Sequence, residues 1–379
     1  MHEALDDMLA QMGLHVPIRR QIPVRHAWCP PPPRSGASPI SSLAPELLRQ
    51  ILSLVIEDPP ASAIIPSSLV CRAWRDPAQA LLWREIALMG GDEPYLDQMR
   101  ASAACGRWKT ENVIAVGTNG RKVGRLLKGL RGVQRLTLYE HEGLDPKMFA
   151  EVKAFEDLKE LTLNLAGFTH LASQIALPFK LEFLSITGDY SPALVSSILA
   201  SSPNLSTLIL QTDFGAACPA FTTFLPLILP TLQHLTLSET HPDYLSLVLQ
   251  HCASLKSLHL DSSFPVSEFP ALLKGIPAAL SKIKIGVNVD EEGIDRLTAD
   301  LKLKMVTGGF GNGVLREVET LEIVFEGSIG EWDLLKGAGE VERRCARAGV
   351  ELLFDREICD EEDEEEEDTD GYGDEDDSE

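Results

Sequence analysis

Any chemistry this chain performs would begin at its glycine clusters, histidines and cysteines. The run Gly117-Thr118-Asn119-Gly120-Arg121-Lys122 is glycine-rich but mis-spaced for a phosphate loop. Such a loop needs four residues between its glycines and then Gly-Lys-Ser/Thr. Gly309-x-Gly311-x-Gly313 reads as a loop before a strand, so its amides would not join a helix terminus around a pyrophosphate. His234 and His259 read as neighbours on adjacent strands, and no third metal ligand stands at an obvious position. Neither G-x-S-x-G nor H-E-x-x-H occurs. Seven cysteines, odd in number, scattered and without C-x-x-C, fit free buried thiols in a reducing compartment better than disulfides or zinc. The sequence therefore predicts no catalytic residue, no cofactor and no metal, and points to binding.

Two kinds of element would position a binding surface. The first is the segment 40–86. Pro45 can stand at a helix start, where its missing N–H is no loss. Leu47, Leu48, Ile51, Leu52 and Val55 then recur at the helical period over about residues 45–55. Asp58-Pro59-Pro60 ends that helix. Ser67 or Ser68 opens a second, with Leu69, Val70, Ala73 and Trp74 on one face. Asp76-Pro77 signals a third, holding Leu81, Leu82 and Trp83. Three helices this short bury too little to stand alone, so part of their apolar surface must pack on something else.

This segment resembles an F-box. The match rests on Leu43, Pro45 and Glu46, then Ile51, Leu69-Val70 with Cys71, Trp74 and Leu82-Trp83, with a stretched loop at residues 57–66 as the departure. It covers about an eighth of the chain. The resemblance implies docking onto the Skp-type adaptor of cullin–RING ubiquitin ligases. The adaptor-binding residues would be Leu43, Pro45, Glu46, Leu47, Ile51, Leu69, Val70, Trp74, Leu82 and Trp83. A generic helical cap on the following domain is the alternative reading.

The second element is a repeat. Leucine, two residues, leucine, one residue, leucine recurs at Val133-Leu136-Leu138, Leu158-Leu161-Leu163, Leu181-Leu184-Ile186 and Leu205-Leu208-Leu210. It continues at Leu232-Leu235-Leu237, Leu255-Leu258-Leu260, Leu280-Ile283-Ile285 and Val318-Leu321-Ile323. The steps are 25, 23, 24, 27, 23, 25 and 38 residues. All but the last match the period of leucine-rich repeats. Irregular lengths, no strict asparagine after the strand and Cys252 before Leu255 resemble F-box/leucine-rich-repeat proteins, fungal members included, and ribonuclease-inhibitor-like solenoids. Return helices are expected at Met148, Val152 and Phe155, at Leu194, Ile198 and Leu199, and at Leu245, Val248 and Leu249, with Pro192 and Pro242 near two of their starts. The expected fold is α/β: a short three-helix segment, then a curved solenoid with a parallel sheet inside and helices outside. Eight strands span seven steps, about 34 Å at ~4.8 Å each. Ile86-Leu88 and Val113-Val116 are expected as early strands, Val350-Phe354 as a final edge strand, and about residues 291–301 as a helix.

Alternation by two places one residue set on the concave face. Its first row is Arg135, Glu160, Phe183, Thr207, His234, Ser257 and Lys282. A second runs Thr137, Thr162, Ser185, Ile209, Thr236, His259 and Lys284, and a third Tyr139, Asn164, Thr187, Gln211, Ser238 and Asp261. Hydroxyls dominate, and the Arg/Lys density that phosphate backbones require is missing. Target-binding candidates are Arg135, Tyr139, Glu160, Asn164, Phe183, Gln211, His234, His259 and Asp261.

Charge separates a tail from the rest. The chain carries −23, and residues 360–379 hold fifteen Asp or Glu with no Lys or Arg; the difference leaves −8 elsewhere. Such a block is expected to be disordered, either as a solubilising tail or as a contact for a basic protein. No apolar run reaches membrane-spanning length, and the first twenty residues lack the basic and apolar regions of a secretory signal. The expected layout is 1–39 N-terminal segment and Pro-rich linker, 40–86 F-box-like helices, 87–358 solenoid and 359–379 tail. The expected location is cytoplasmic or nuclear, without membrane or direct nucleic-acid contact. The reading this supports is a substrate-recognition subunit of an SCF-type ligase, binding an adaptor, through it a cullin, and an unidentified protein target. A non-degradative F-box scaffold and an acidic leucine-rich nuclear protein that binds histones are the alternatives.

Overall fold

One leucine-rich unit cannot fold alone. Its three apolar side chains contribute about 1.5–3 kcal/mol each on burial, while ordering some two dozen residues costs ~1–2 kcal/mol apiece. Only stacking, which buries both faces of each unit, closes that gap. The computed structural model shows this stack. It describes residues 47–48, 50–51, 72–90, 93–102, 105–139, 145–164, 173–188, 192–211, 227–238, 251–261, 264–269, 272, 275–277, 280–288, 294–311, 317–326 and 338–357.

Eleven strands form one parallel sheet whose spatial order is their chain order. They are β1 Glu85–Leu88, β2 Asn112–Val116, β3 Arg135–Tyr139, β4 Glu160–Asn164, β5 Phe183–Thr187 and β6 Thr207–Gln211. Then come β7 His234–Leu237, β8 Ser257–Leu260, β9 Lys282–Asn288, β10 Thr320–Glu326 and β11 Glu351–Glu357. All eight repeat strands expected from the leucine spacing are present, together with both early strands and the final one. Ten steps at ~4.8 Å make the sheet about 48 Å wide. No side chain at the repeated leucine positions is more than 4% exposed.

Backbone hydrogen bonds fix the register from outside each strand. The carbonyl just before a strand accepts two N–H groups from the next repeat: Arg84 from Glu111 and Asn112, Glu111 from Gln134 and Arg135, and so on to Ser281 from Glu319 and Thr320, all at 2.8–3.1 Å. A carbonyl has two lone pairs, so each is fully used.

The described helices between and before the strands are α1 Arg72–Leu82, α2 Glu93–Ala101, α3 Gly120–Leu127, α4 Met148–Glu151, α5 Pro192–Ser201, α6 Ile294–Gly311 and α7 Ala338–Ala348. Leu194, Ile198 and Leu199 are buried as expected, and Pro192 opens its helix. Met148, Val152 and Phe155 are buried too, but on α4 followed by a 3-10 turn, Lys153–Asp157, and not on one helix. Phe149 packs there against Phe155 at 5.8 Å and edge-on against Phe179 at 6.3 Å, filling the bend between the two short helices. The stripe at Leu245, Val248 and Leu249 lies outside the described residues.

Three boundaries differ from the sequence expectation. Arg72–Leu82 is one helix, α1, with Pro77 inside it, so no helix boundary falls at Asp76-Pro77, while residues 67–71 lie outside the described residues. Proline there withholds an N–H from the Ala73 carbonyl and crowds that carbonyl with its ring. Burial of Pro77 and Ala78 offsets that loss. The sheet begins at Glu85, so Ile86 belongs to the solenoid and not to the helical segment. The glycine run after residue 307 is helical as far as Gly311, because α6 is anchored by Leu303 and Val306 in the core.

Candidate functional site

Two surfaces of the described residues carry the candidate binding side chains. At the N-terminal end Leu47, Leu48, Gln50 and Ile51 are helical. Leu48 is 2% exposed and packs on Ala78, Leu81 and Leu82 of α1. Leu47 and Ile51, one turn apart, point the other way and are 50% and 43% exposed. Ionic contacts tie the adjoining chain to the sheet: Asp76 binds Arg107 at 3.1 Å, and Arg107 lies over the Trp108 ring at 4.7 Å.

The expected adaptor-binding residues divide accordingly. Leu47 and Ile51 face outward. Leu82 is half-buried against Leu48, and Trp83 packs on the main core of the solenoid. Only one residue separates Trp83 from β1, and its partly buried ring packs toward the sheet. Trp74 belongs to α1. Leu43, Pro45, Glu46, Leu69 and Val70 lie outside the described residues.

The second surface is the concave face. Exposure falls from start to end along β3 and β7, while Ser257 and His259 of β8 and Asp261 just after it are all half-buried. Arg135, Glu160 and His234, at strand starts, are exposed, and Phe183 between them is half-buried. Thr137 and Ser185 of the second row are buried, and so are Tyr139 and Ser238 of the third. Tyr139 is 5% exposed. Burial pushes its hydroxyl up to about 12 despite a hydrogen bond with Thr187. His259 is largely closed off as well, and burial, with Lys284 beside it, pushes its imidazole down to about 4. Asn164 and Asp261 are half-buried, and Gln211 ends β6. Among the described residues of the three rows, the fully exposed side chains, Arg135, Glu160 and His234, all stand in the first.

That row is framed by paired charges. Just before the strands, Arg84 binds Glu111 at 2.7 Å and Lys159 binds Glu182 at 2.9 Å. Within the row Asn112 donates to Glu85 at 3.3 Å.

A cluster that the sequence reading missed spans β8 to β10. Lys284 is in register with His259 on one side and Glu322 on the other. Glu322 is buried, its carboxylate held by Lys284 at 3.0 Å and by Lys282. Burial pushes its pKa up, but the two lysine hydrogen bonds outweigh burial and hold it below the usual carboxylate range. The signal was present. Lys284 lies between Ile283 and Ile285 as Glu322 lies between Leu321 and Ile323, and only the 38-residue step conceals that they are equivalent.

At the first glycine run, Gly117 turns the chain out of β2 with φ +61°. Asn119 then caps α3, accepting the amides of Arg121 at 3.1 Å and Lys122 at 3.3 Å. Two amides that a phosphate would use there are already bonded. Among the described residues, no helix is long and apolar enough to cross a membrane. A comparison with models of known protein families returned no match, and neither did one with curated proteins.

Proposed function

We propose that this chain is the substrate-recognition subunit of an SCF-type cullin–RING ubiquitin ligase. The helical segment would dock a Skp-type adaptor, and through it a cullin, while the outer row of the concave face holds a protein target. The chain then supplies no bond-making group. It raises the effective concentration of target lysines near a transferring enzyme. The observation that carries this reading is the Leu47–Ile51 pair. A helix anchored by Leu48 turns two large aliphatic side chains to solvent, and such a pair gains from a partner that covers it. Arg135, Glu160, Phe183 and His234 offer a target one charge of each sign, a half-buried aromatic and an imidazole across consecutive or nearby strands.

The test is co-purification of a Skp-type adaptor with the full chain and with the double variant Leu47→Lys, Ile51→Lys. Already half covered, the pair would contribute about 1.5–3 kcal/mol on full burial, so the variant should bind the adaptor at least ~10-fold more weakly. Its melting temperature should stay at the wild-type value, since both positions are exposed. Retention of the adaptor at the wild-type level would overturn the proposal.

A further inference from the structure

Residues 112–139 hold six Lys or Arg and no Asp or Glu, in a chain whose 57 acidic residues outnumber its 34 basic ones. Five of the six gather on α3 and the loop after it, and Arg121, Arg125, Lys128 and Arg131 are exposed. α3 buries Val123, Leu126 and Leu127 in the core, which turns Arg121 and Arg125, one helical turn apart, away from it. Lys128 is bound to Glu151 at 2.8 Å, and Lys122 stands 4.0 Å from Asp97. Among the described residues, no carboxylate pairs with Arg121, Arg125 or Arg131.

Local stability does not explain this arrangement. Like charges four apart on a helix repel by ~0.2–0.5 kcal/mol. Arg121 and Lys122 also stand in the first turn, at the positive end of the helix dipole, with no acidic residue in that turn. An anion lying across the face relieves both.

Charge and attachment decide which anion. Residues 360–379 hold fifteen Asp or Glu and no Lys or Arg. From β11 back to β3 the sheet counts eight steps, about 38 Å at ~4.8 Å each. The twenty-two residues after Glu357 can span roughly 70 Å, so the acidic stretch reaches α3. Attachment to the same chain sets an effective concentration on the order of millimolar. A separate polyanion, nucleic acid included, must instead approach a molecule of net charge −23.

We propose that residues 360–379 lie against α3 of their own chain, their carboxylates pairing with the guanidinium groups of Arg121, Arg125 and Arg131. The contact stands apart from the adaptor and target faces above and does not depend on them. A basic protein that binds the tail then competes with α3 for it.

The test is titration of a fluorescent peptide of residues 360–379 into full-length proteins at low salt, where exposed charges are least screened. One protein is the natural chain. In the other the fifteen tail carboxylates are replaced by the matching amides, so that α3 has no competitor for the peptide. The amide variant should bind the peptide at least fivefold more tightly than the natural chain. Adding Arg121→Glu and Arg125→Glu to both should weaken binding at least tenfold in the amide variant and erase its advantage. Lys180→Glu with Lys256→Glu, an equal change of charge at two exposed lysines, should leave binding by the amide variant intact. Melting temperatures should not move with these four substitutions, because all four side chains are exposed. No binding by the amide variant, or equal binding by the two proteins, would overturn the proposal. So would an advantage that survives loss of the two arginines, which is long-range repulsion by the tail, or an equal loss in the lysine pair. Concentration-dependent dimerisation of the natural chain, abolished by Arg121→Glu and Arg125→Glu, would assign the face to the tail of a second copy instead.

Discussion

His259 should make the solenoid acid-sensitive well above the range where carboxylates titrate. In the unfolded chain its imidazole takes a proton near pH 6.5. In the folded chain burial, reinforced by Lys284 and opposed by Asp261 and Glu322, lowers that to about 4. Between those values the unfolded state holds a proton that the folded state refuses. Stability is therefore complete above about pH 6.5 and drains as the pH falls toward about 4. At ~1.4 kcal/mol per pH unit the full window amounts to about 3 kcal/mol. Against a typical total of about 5–15 kcal/mol that is a large share. Replacing His259 by glutamine keeps a polar side chain of similar reach and removes the titration. Urea unfolding followed by tryptophan fluorescence at pH 7, 6, 5 and 4.5 gives the slope for each protein. The wild type should lose about 2–3 kcal/mol more than the variant between pH 6.5 and 4.5. Equal losses would refute the assignment of His259 as a buried, neutral imidazole.

The neighbouring ion cluster yields a second expectation. Glu322→Gln leaves Lys282 and Lys284 on one face of β9 without the carboxylate that holds both. Loss of charge-assisted hydrogen bonds at a buried acceptor should cost about 2 kcal/mol, measured by urea unfolding at pH 7, while Glu351→Gln at an exposed position of β11 should cost almost nothing. Thiol labelling supplies a third. Burial pushes the Cys252 thiol up to about 12 and Cys345 up to about 11. Variants retaining only one or the other should react with a thiol reagent at pH 8 only as fast as the protein unfolds. Fast labelling of the folded protein would place those residues at the surface.

The solenoid was legible because its signal is redundant. Each repeat states the same three apolar positions, and a leucine that burial requires at Leu136 is required again at Leu161, Leu184 and Leu208. Side-chain alternation then gave the concave rows without any knowledge of curvature. How far along each strand the surface stays open was not legible, since periodicity assigns Tyr139 and Arg135 to one face alike. Yet one is buried and the other exposed. Proline and glycine misled where burial outweighed local preference: Pro77 was read as a helix start and the glycines after residue 307 as a loop, and both lie within helices. The Lys282–Glu322–Lys284 cluster escaped because it joins residues about forty positions apart across the most irregular repeat. Irregular spacing obscures equivalence even when each strand is plain.

Only Trp83 and Arg84 separate α1 from β1, and neither is free to turn. Trp83, partly buried, packs against the core of the sheet, while the Arg84 carbonyl accepts from Glu111 and Asn112 and its guanidinium binds Glu111. The joint is therefore a weld and not a hinge. On the proposed reading, an adaptor seated on Leu47 and Ile51, which meet α1 through Leu48, would hold a set bearing toward a target lying across Arg135 to His234, as a gauge block holds two faces apart. Reach and angle would then be set when the protein folds, and the dimensions of a target would count as well as its side chains.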